Sequence, residues 1–149
     1  MLEQACYDLL RLDPVVASLS GGRIYMGHVP EGNNSWPVLV FHRVNTPRRE
    51  LHLTGTAGLL QARIMVEVVG KRYVTVDTNV GVVELADAAI AVLDQVFHRT
   101  VAGTVIQHGT IEGPEDDLEQ VGPGTDDRFH RRRFDWLAWY EEEPIAIQV

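Results

Sequence analysis

Cysteine is nearly absent from this 149-residue sequence, which contains only Cys6. A single cysteine excludes a disulfide within the chain. Because Cys6 lies among Leu2, Ala5, Leu9 and Leu10, we expect a small buried side chain and not a reactive thiol. No apolar run reaches the ~20 residues that a membrane helix needs. The sequence begins MLEQACYDLL, without the basic start and apolar stretch of a signal peptide, which predicts a protein kept in the cytoplasm and no contact with a membrane.

Recognisable catalytic and ligand-binding motifs are missing as well. None of the three serines lies in a GxSxG elbow. The glycine-containing turns at 21–22 and 55–58 lack the P-loop Lys-Ser/Thr pair and the GxGxxG spacing. No two of the six histidines have the spacing of a zinc site; they are His28, His42, His52, His98, His108 and His130. The sequence therefore predicts no catalytic residues, no metal site and no cofactor.

The charge balance restricts the kind of partner. Thirteen Lys and Arg face 21 Asp and Glu, which gives a formal net charge of −8. Proteins that grip nucleic acid do so through clustered Lys and Arg that neutralise phosphates. We therefore expect no tight binding of DNA, while DNA passing close by without being gripped stays compatible with this composition.

Two parts of the sequence have the apolar spacing of helices. The first runs over 2–12 and is interrupted by Asp13-Pro14, with a second short apolar piece at 15–19. The second runs over 84–97 and follows three residues that are capable N-caps, Asp77, Thr78 and Asn79. Gly81 and its β-branched neighbours weaken the first turn of this helix.

Four β-rich runs, at 23–25, 38–44, 60–68 and 103–108, precede a last strand that starts at Arg128. The run 60–68 alternates most clearly and is expected to pair antiparallel with 38–44 through a projecting loop at 45–58. The acidic stretch 112–127 carries two prolines and three glycines, which predicts a long exposed loop. The order of elements indicates one α/β (α+β) domain over 1–149, with a mostly antiparallel or mixed sheet flanked by two main helices.

The last strand, Arg128 to Glu143, is predicted to have two different faces. Alternation places Phe134, Trp136, Ala138 and Tyr140 on one side, and Arg131, Arg133, Asp135, Leu137 and Trp139 on the other. One face is expected to be core, and the other to be half polar and available to a neighbouring subunit. We favour pairing of the arginines with carboxylates of another subunit, such as those at 141–143, over contact with phosphate.

Several segments, taken in order and spacing, resemble the tail-terminator (tail-completion) family of long-tailed bacteriophages, prophages and gene transfer agents. They are Asp13-Pro14-Val15-Val16, Gly22-Arg23-Ile24-Tyr25, Trp36 to Phe41, Ala62 to Val68, Leu85-Ala86-Asp87-Ala88 and Phe134 to Tyr140. The resemblance spans nearly the whole chain. The sequence departs from the family pattern at Met26, at Gly81 and in the acidic stretch 112–127.

The resemblance implies a structural virion protein without catalytic residues. Such a subunit forms a hexameric ring on the last ring of the tail tube, stops tail polymerisation and joins the tail to the head. The implied partners are other copies of the chain, the tail tube protein and a head-completion or connector protein, with DNA passing through the lumen without specific binding. The implied location is the head–tail interface of the virion, after assembly in the host cytoplasm.

We expect the contacts between proteins to involve seven residues: Arg48, Arg49, Arg131, Arg133, Trp139, Ile145 and Ile147. Arg48 and Arg49 lie on the projecting loop and are predicted to contact the tube ring. Ile145 and Ile147 lie in a C-terminal tail, 144–149, whose apolar residues alternate as those of an added strand do, although a frayed terminus explains that tail equally well. The alternatives are a head-side connector or stopper and, less favoured, a small ligand-binding or enzymatic α/β domain.

Overall fold

The computed structural model describes residues 1–44, 48–49, 59–120 and 128–142. Within these residues the chain forms three helices and seven strands. In chain order they are α1 (Leu2–Leu12), α2 (Pro14–Ser20), β1 (Ile24–Met26), β2 (Val38–Arg43), β3 (Arg48–Arg49), β4 (Leu59–Gly70), α3 (Val82–Asp94), β5 (Phe97–Val101), β6 (Thr104–Gln120) and β7 (Arg128–Glu142).

The strands form one mixed sheet in the order β1-β2-β4-β7-β6-β5, with β3 beside the start of β4. β1 pairs parallel with β2, and every other described pair is antiparallel. The predicted pairing of β2 with β4 is confirmed, with Val38 opposite Val69 and Arg43 opposite Ile64. The predicted class, an α+β domain with a mixed sheet, is therefore confirmed.

The helices cover one face of the sheet and share a single core with it. Strand alternation buries Ala62, Ile64, Val66 and Val68 of β4 on this face. On β7 the predicted set is also buried, namely Phe134, Trp136, Ala138 and Tyr140. Cys6 of α1 is fully buried, as expected, and desolvation raises the pKa of its thiol.

The break between α1 and α2 follows from Asp13 and Pro14. The Asp13 carboxylate accepts a hydrogen bond from the backbone N–H of Val16 at 3.0 Å, which caps α2. Proline is favourable at the first position of a helix because its missing N–H has no intrahelical partner there. Gly21 ends α2 in a left-handed conformation, with φ of 62°.

The predicted start and end of α3 are wrong. The helix runs from Val82 to Asp94, and its N-cap is Gly81, not one of the three polar residues at 77–79. Those residues lie in a turn closed by two backbone hydrogen bonds between Val76 and Asn79. After Asp94 the chain turns, and Phe97, predicted to end the helix, begins the edge strand β5.

The prediction of a loop over 112–127 is also wrong for its first nine residues. β6 continues to Gln120 and stays paired with β7. A shift of register between Glu112 and Glu115 leaves Pro114 out of the ladder, which is how a strand accommodates a proline. Residues 121–127 lie outside the described residues, as do most of the projecting loop at 45–58 and the tail at 144–149.

Candidate functional site

The face of the sheet opposite the helices carries paired charges, and we call it the polar face. It comprises Arg63 and Glu67 of β4, Glu112 and Glu115 of β6, and Arg131, Arg133 and Asp135 of β7. Each of these β4 and β7 residues alternates with a side chain that points toward the helices. The cross-strand register then brings arginines of one strand beside carboxylates of the next.

Arg63 lies at the centre of the polar face and bridges two strands. Its Nη1 donates to Glu112 Oε2 at 2.7 Å and to Asp135 Oδ2 at 2.5 Å. These hydrogen bonds raise the pKa of the guanidinium further, and the two negative charges add to the increase, while burial opposes it. The group therefore stays charged and holds β6 and β7 in register with β4.

Two of the predicted interface arginines, Arg131 and Arg133, lie on the polar face and have partners in the same chain. Arg131 Nη1 is 3.5 Å from Glu67 Oε1, and Arg133 Nη2 donates to Glu115 Oε2 at 3.1 Å. These carboxylates are not those at 141–143 that the sequence suggested. Arg133 is 54% exposed and Glu115 71% exposed, so their pair contributes only ~0–1 kcal/mol to stability. Contact of this face with a neighbouring subunit remains a prediction.

Arg132 points to the other side of β7, as alternation predicts, and fixes β6 to the loop before α3. Its Nη1 donates to both carboxylate oxygens of Asp116, at 2.7 and 2.8 Å. The Tyr73 hydroxyl donates to Asp116 Oδ2 at 2.8 Å, and the Tyr73 ring lies 5.6 Å from that of His130. We call Tyr73, Asp116 and Arg132 the loop anchor, because they tie the loop at 71–81 to the β6–β7 hairpin.

The electrostatics of the loop anchor favour an ionised Asp116. Partial burial acts to raise the pKa of this carboxyl, but the hydrogen bonds from Tyr73 and Arg132 and the charge of Arg132 outweigh it and lower the pKa. The hydrogen bond to Asp116 raises the pKa of the Tyr73 phenol, with burial adding to the effect. The Tyr73 phenol therefore stays protonated and can donate, and the Asp116 carboxylate stays ionised and can accept.

We expect Asp116→Asn to cost about 1 kcal/mol of unfolding free energy at neutral pH, since charged hydrogen bonds are worth more than this but the carboxylate is 42% exposed. A lowered folded-state pKa stabilises the fold above the unfolded pKa of about 3.9, and the contribution disappears as pH falls through the folded pKa. The difference between wild type and variant should therefore vanish in strong acid. Urea unfolding followed by circular dichroism from pH 7 to pH 2 measures it.

Tyr73→Phe is the matched control, because it removes one hydrogen bond and keeps the ion pair between Asp116 and Arg132. It should lose less stability than Asp116→Asn. Its unfolding free energy should still fall at acid pH, as that of the wild type does. If the difference in unfolding free energy between Asp116→Asn and wild type stayed constant below pH 4, it would contradict the assignment.

The other predicted interface residues are placed only in part. Trp139 lies half-buried on the same side of β7 as the polar face, with its ring 6.4 Å from that of His108 on β6. Arg48 and Arg49 form β3, opposite Gln61 and Leu60 of β4. Ile145 and Ile147 lie outside the described residues.

The described residues contain neither a cluster of metal ligands nor a membrane-spanning helix. Among the described side chains, no three His, Cys, Asp or Glu residues are grouped to hold a metal ion. None of the three helices in those ranges has the length and apolar character needed to cross a membrane.

The sequence did not reveal the loop anchor or the bridging role of Arg63. Only the placement of Arg63 and Glu67 on one face could be predicted from the sequence, by alternation over 60–68. Their partners, Glu112 on β6 and Asp135 and Arg131 on β7, depend on the register between strands. The acidic composition around Glu112 also did not predict a strand there. Tyr73 lies in a loop, where no periodicity relates it to Asp116.

Comparison with known proteins supports the fold. No protein-family model matches the sequence, and no curated protein does so either. Among solved structures, the chain is similar to one from the "Virion of native gene transfer agent (GTA) particle", with 19% sequence identity and a TM-score of 0.61. The alignment covers 94% of this chain and 94% of that chain. At this identity the similarity establishes a shared fold.

Proposed function

We propose that this chain is a structural virion protein of the tail-terminator type. Six copies form a ring on the end of the tail tube, stop its polymerisation and present the surface that joins the tail to the head. The chain acts at the head–tail interface, after assembly in the host cytoplasm, and has no enzymatic activity. DNA passes through the lumen of the ring without specific binding, in keeping with the net charge of −8.

The observation that carries this proposal is the likeness to a chain of a gene transfer agent virion over 94% of both chains. A match of this extent spans nearly all of both chains, so it is not a match of one common fragment. The family segments in the sequence add independent support, because they point to the same kind of particle.

The two faces of the sheet also suit a subunit of an assembly. One face is closed by α1, α2 and α3, whereas the polar face presents charged side chains in the described part of the chain. Charged groups at an interface contribute more to its register and specificity than to its affinity. The polar face can therefore define how a neighbouring protein is seated.

Reconstitution tests the proposal. Particles assembled without this chain should show overlong tubes and unjoined heads in electron micrographs, and the purified chain should restore tails of normal length that join heads. We expect Arg48→Glu/Arg49→Glu to abolish this rescue, because the double reversal removes two positive charges from the strand predicted to contact the tube. Counting joined particles measures the effect.

Arg48→Lys/Arg49→Lys is the control and should retain most of the rescue, since it keeps both charges. Circular dichroism must show that each variant is folded. Full rescue by the charge-reversed variant would remove these arginines from the tube contact. A chain that binds heads but never tube ends would favour the head-side connector or stopper, and an isolated subunit that holds a metabolite would reject both structural roles.

A further inference from the structure

The part of β6 that follows Ile111 has no buried side chain among its described residues. Every residue from 112 to 118 is exposed, whereas Ile111 packs against the core. β5 pairs with β6 only as far as His108, so beyond this point β6 is the edge strand of the described sheet. β7 is also held on its other side by β4, for example where Val69 lies opposite Arg131. This part of β6 can therefore leave the sheet without taking β7 with it.

A bulge separates this part of β6 from the rest of the strand. The register with β7 shifts between Glu112 and Glu115, which leaves Pro114 without a partner in the ladder. Gly113 lies in the bulge with φ of 105°, a conformation that glycine adopts and other residues avoid. Bulges bend a strand locally. We call residues 115–118 the strap, and the bulge is the point about which it can turn while Ile111 stays in place.

Three carboxylates of the strap face three arginines of β7, one for one. In the register of the ladder the opposed pairs are Glu115 with Arg133, Asp116 with Arg132 and Asp117 with Arg131. Glu115 accepts from Arg133 at 3.1 Å, and Asp116 accepts from Arg132 at 2.7 and 2.8 Å. Opposite charges directly across a ladder stabilise the pairing of strands. Because the strap buries no apolar side chain, its attachment depends on these pairs and on the ladder itself.

Neutralising the carboxylates would remove this attraction. Arg131, Arg132 and Arg133 would then be three consecutive cations on β7 without an opposite charge on the β6 side. Further charged or titratable groups near the strap are Glu67 of β4, Lys71, Arg72 and Tyr73 of the following loop, Asp87 of α3 and His130 of β7. Of these, only Glu67 and Asp87 are carboxylates, and acid neutralises them together with the strap.

Acid and salt therefore both weaken the attachment. Partial burial acts to raise the pKa of Asp116, yet the hydrogen bonds and the charge of its partners lower it. A carboxylate with a lowered pKa holds the strap above its unfolded pKa of about 3.9 and releases it as pH falls through the folded value. Salt acts at neutral pH as well, because it screens exposed pairs such as that of Glu115 with Arg133.

The strap also carries one member of the loop anchor. Asp116 accepts the hydrogen bond of the Tyr73 hydroxyl, so an open strap leaves Tyr73 without this partner. The loop at 71–81 then loses its tie to the β6–β7 hairpin. It keeps its ties to α3, in which the N–H groups of residues 82 and 83 donate to the carbonyl oxygens of residues 72 and 73. Opening of the strap is thereby coupled to the loop that precedes α3.

We propose that the strap opens as a unit about the bulge while the rest of the sheet stays folded, and that its ion pairs with β7 determine how often it opens. Opening releases the loop anchor and uncovers the edge of β7. The inference goes beyond the proposed function, because it concerns the single subunit and requires no ring.

Hydrogen exchange of backbone amides, followed residue by residue by NMR on the full chain, tests the proposal. Glu115→Gln/Asp116→Asn removes two charges of the strap and keeps the size of both side chains. At neutral pH we expect the amides of 115–118 to exchange about tenfold faster in this variant. Those of Val76 and Asn79, in the loop, should exchange faster by a smaller factor, while those of 62–68 in β4 stay unchanged. In wild type, raising salt from about 0.05 M to about 1 M should act in the same direction.

Glu31→Gln/Asp94→Asn is the matched control, since it makes the same change of net charge at two exposed carboxylates outside the strap. It should leave exchange at 115–118 as in wild type. Unchanged exchange of the strap in Glu115→Gln/Asp116→Asn, or strap amides already unprotected in wild type, would show that the ion pairs do not hold it. Equal acceleration at 115–118 and at 62–68 would show that the strap opens only when the whole domain unfolds. Each of these results overturns the proposal and leaves the proposed function untouched.

Discussion

Trp136→Ala is expected to destabilise the fold by about 3–5 kcal/mol, the usual cost of removing a buried tryptophan from a core. Trp136 is fully buried and lies between Ile64 of β4 and Ile111 of β6 in the register of the sheet. Its indole covers Gly109, where an added Cβ would overlap the ring nitrogen. A domain of this size has only ~5–15 kcal/mol of stability, so a large part would be lost. Urea unfolding followed by far-ultraviolet circular dichroism measures it.

Trp139→Ala is the matched control on the other face of the same strand. Its side chain is half-buried, so we expect a loss near 1 kcal/mol and a folded protein. If Trp139 contacts a neighbouring subunit, as the sequence predicts, this variant should assemble less well while remaining folded. Equal losses of stability in the two variants would contradict the assignment of faces on β7.

Strand alternation explains why the core could be predicted from the sequence. On β7 and β4 large apolar residues repeat every second position, so the buried sets at 134–140 and 62–68 follow from period alone. The antiparallel pairing of β2 with β4 followed from two adjacent β-rich runs joined by a turn-rich segment. Both features depend on local pattern and burial, which a single sequence records.

The extension of β6 could not be predicted in this way. The run from Glu112 to Gln120 is acidic and contains proline, and such a composition ordinarily disfavours a strand. Arginines of β7 stabilise it: Glu115 lies opposite Arg133, and Asp116 opposite Arg132. Opposite charges directly across a ladder stabilise strand pairing, but their register is a property of the fold.

The candidate site was predictable only where strand alternation determines it. Alternation placed Arg131 and Arg133 on one face and Arg132 on the other, and the structure has this arrangement. The partners of these arginines were not predictable, because Glu67 and Asp116 are distant in sequence.

Gly81→Ala is expected to cost about 1–3 kcal/mol through crowding, and alanine is also a poorer N-cap residue than glycine. Gly81 is the N-cap of α3, and an added Cβ would overlap the backbone of Val74 and Thr75. Backbone cannot move aside as the end of a side chain can, so either the loop or the helix must shift. The variant would also lose the hydrogen bond from its N–H to the Thr75 hydroxyl, which is 3.0 Å long in the native structure.

The consequence of this shift extends to the loop anchor, because the displaced loop carries Tyr73, whose hydroxyl donates to Asp116. We expect Gly81→Ala to lower the urea midpoint of unfolding. Val80→Ala, one position earlier, is the control, since it removes side-chain atoms without crowding the loop and should lower the midpoint much less. A Gly81→Ala protein with the stability of wild type would show that the loop at 71–81 tolerates displacement.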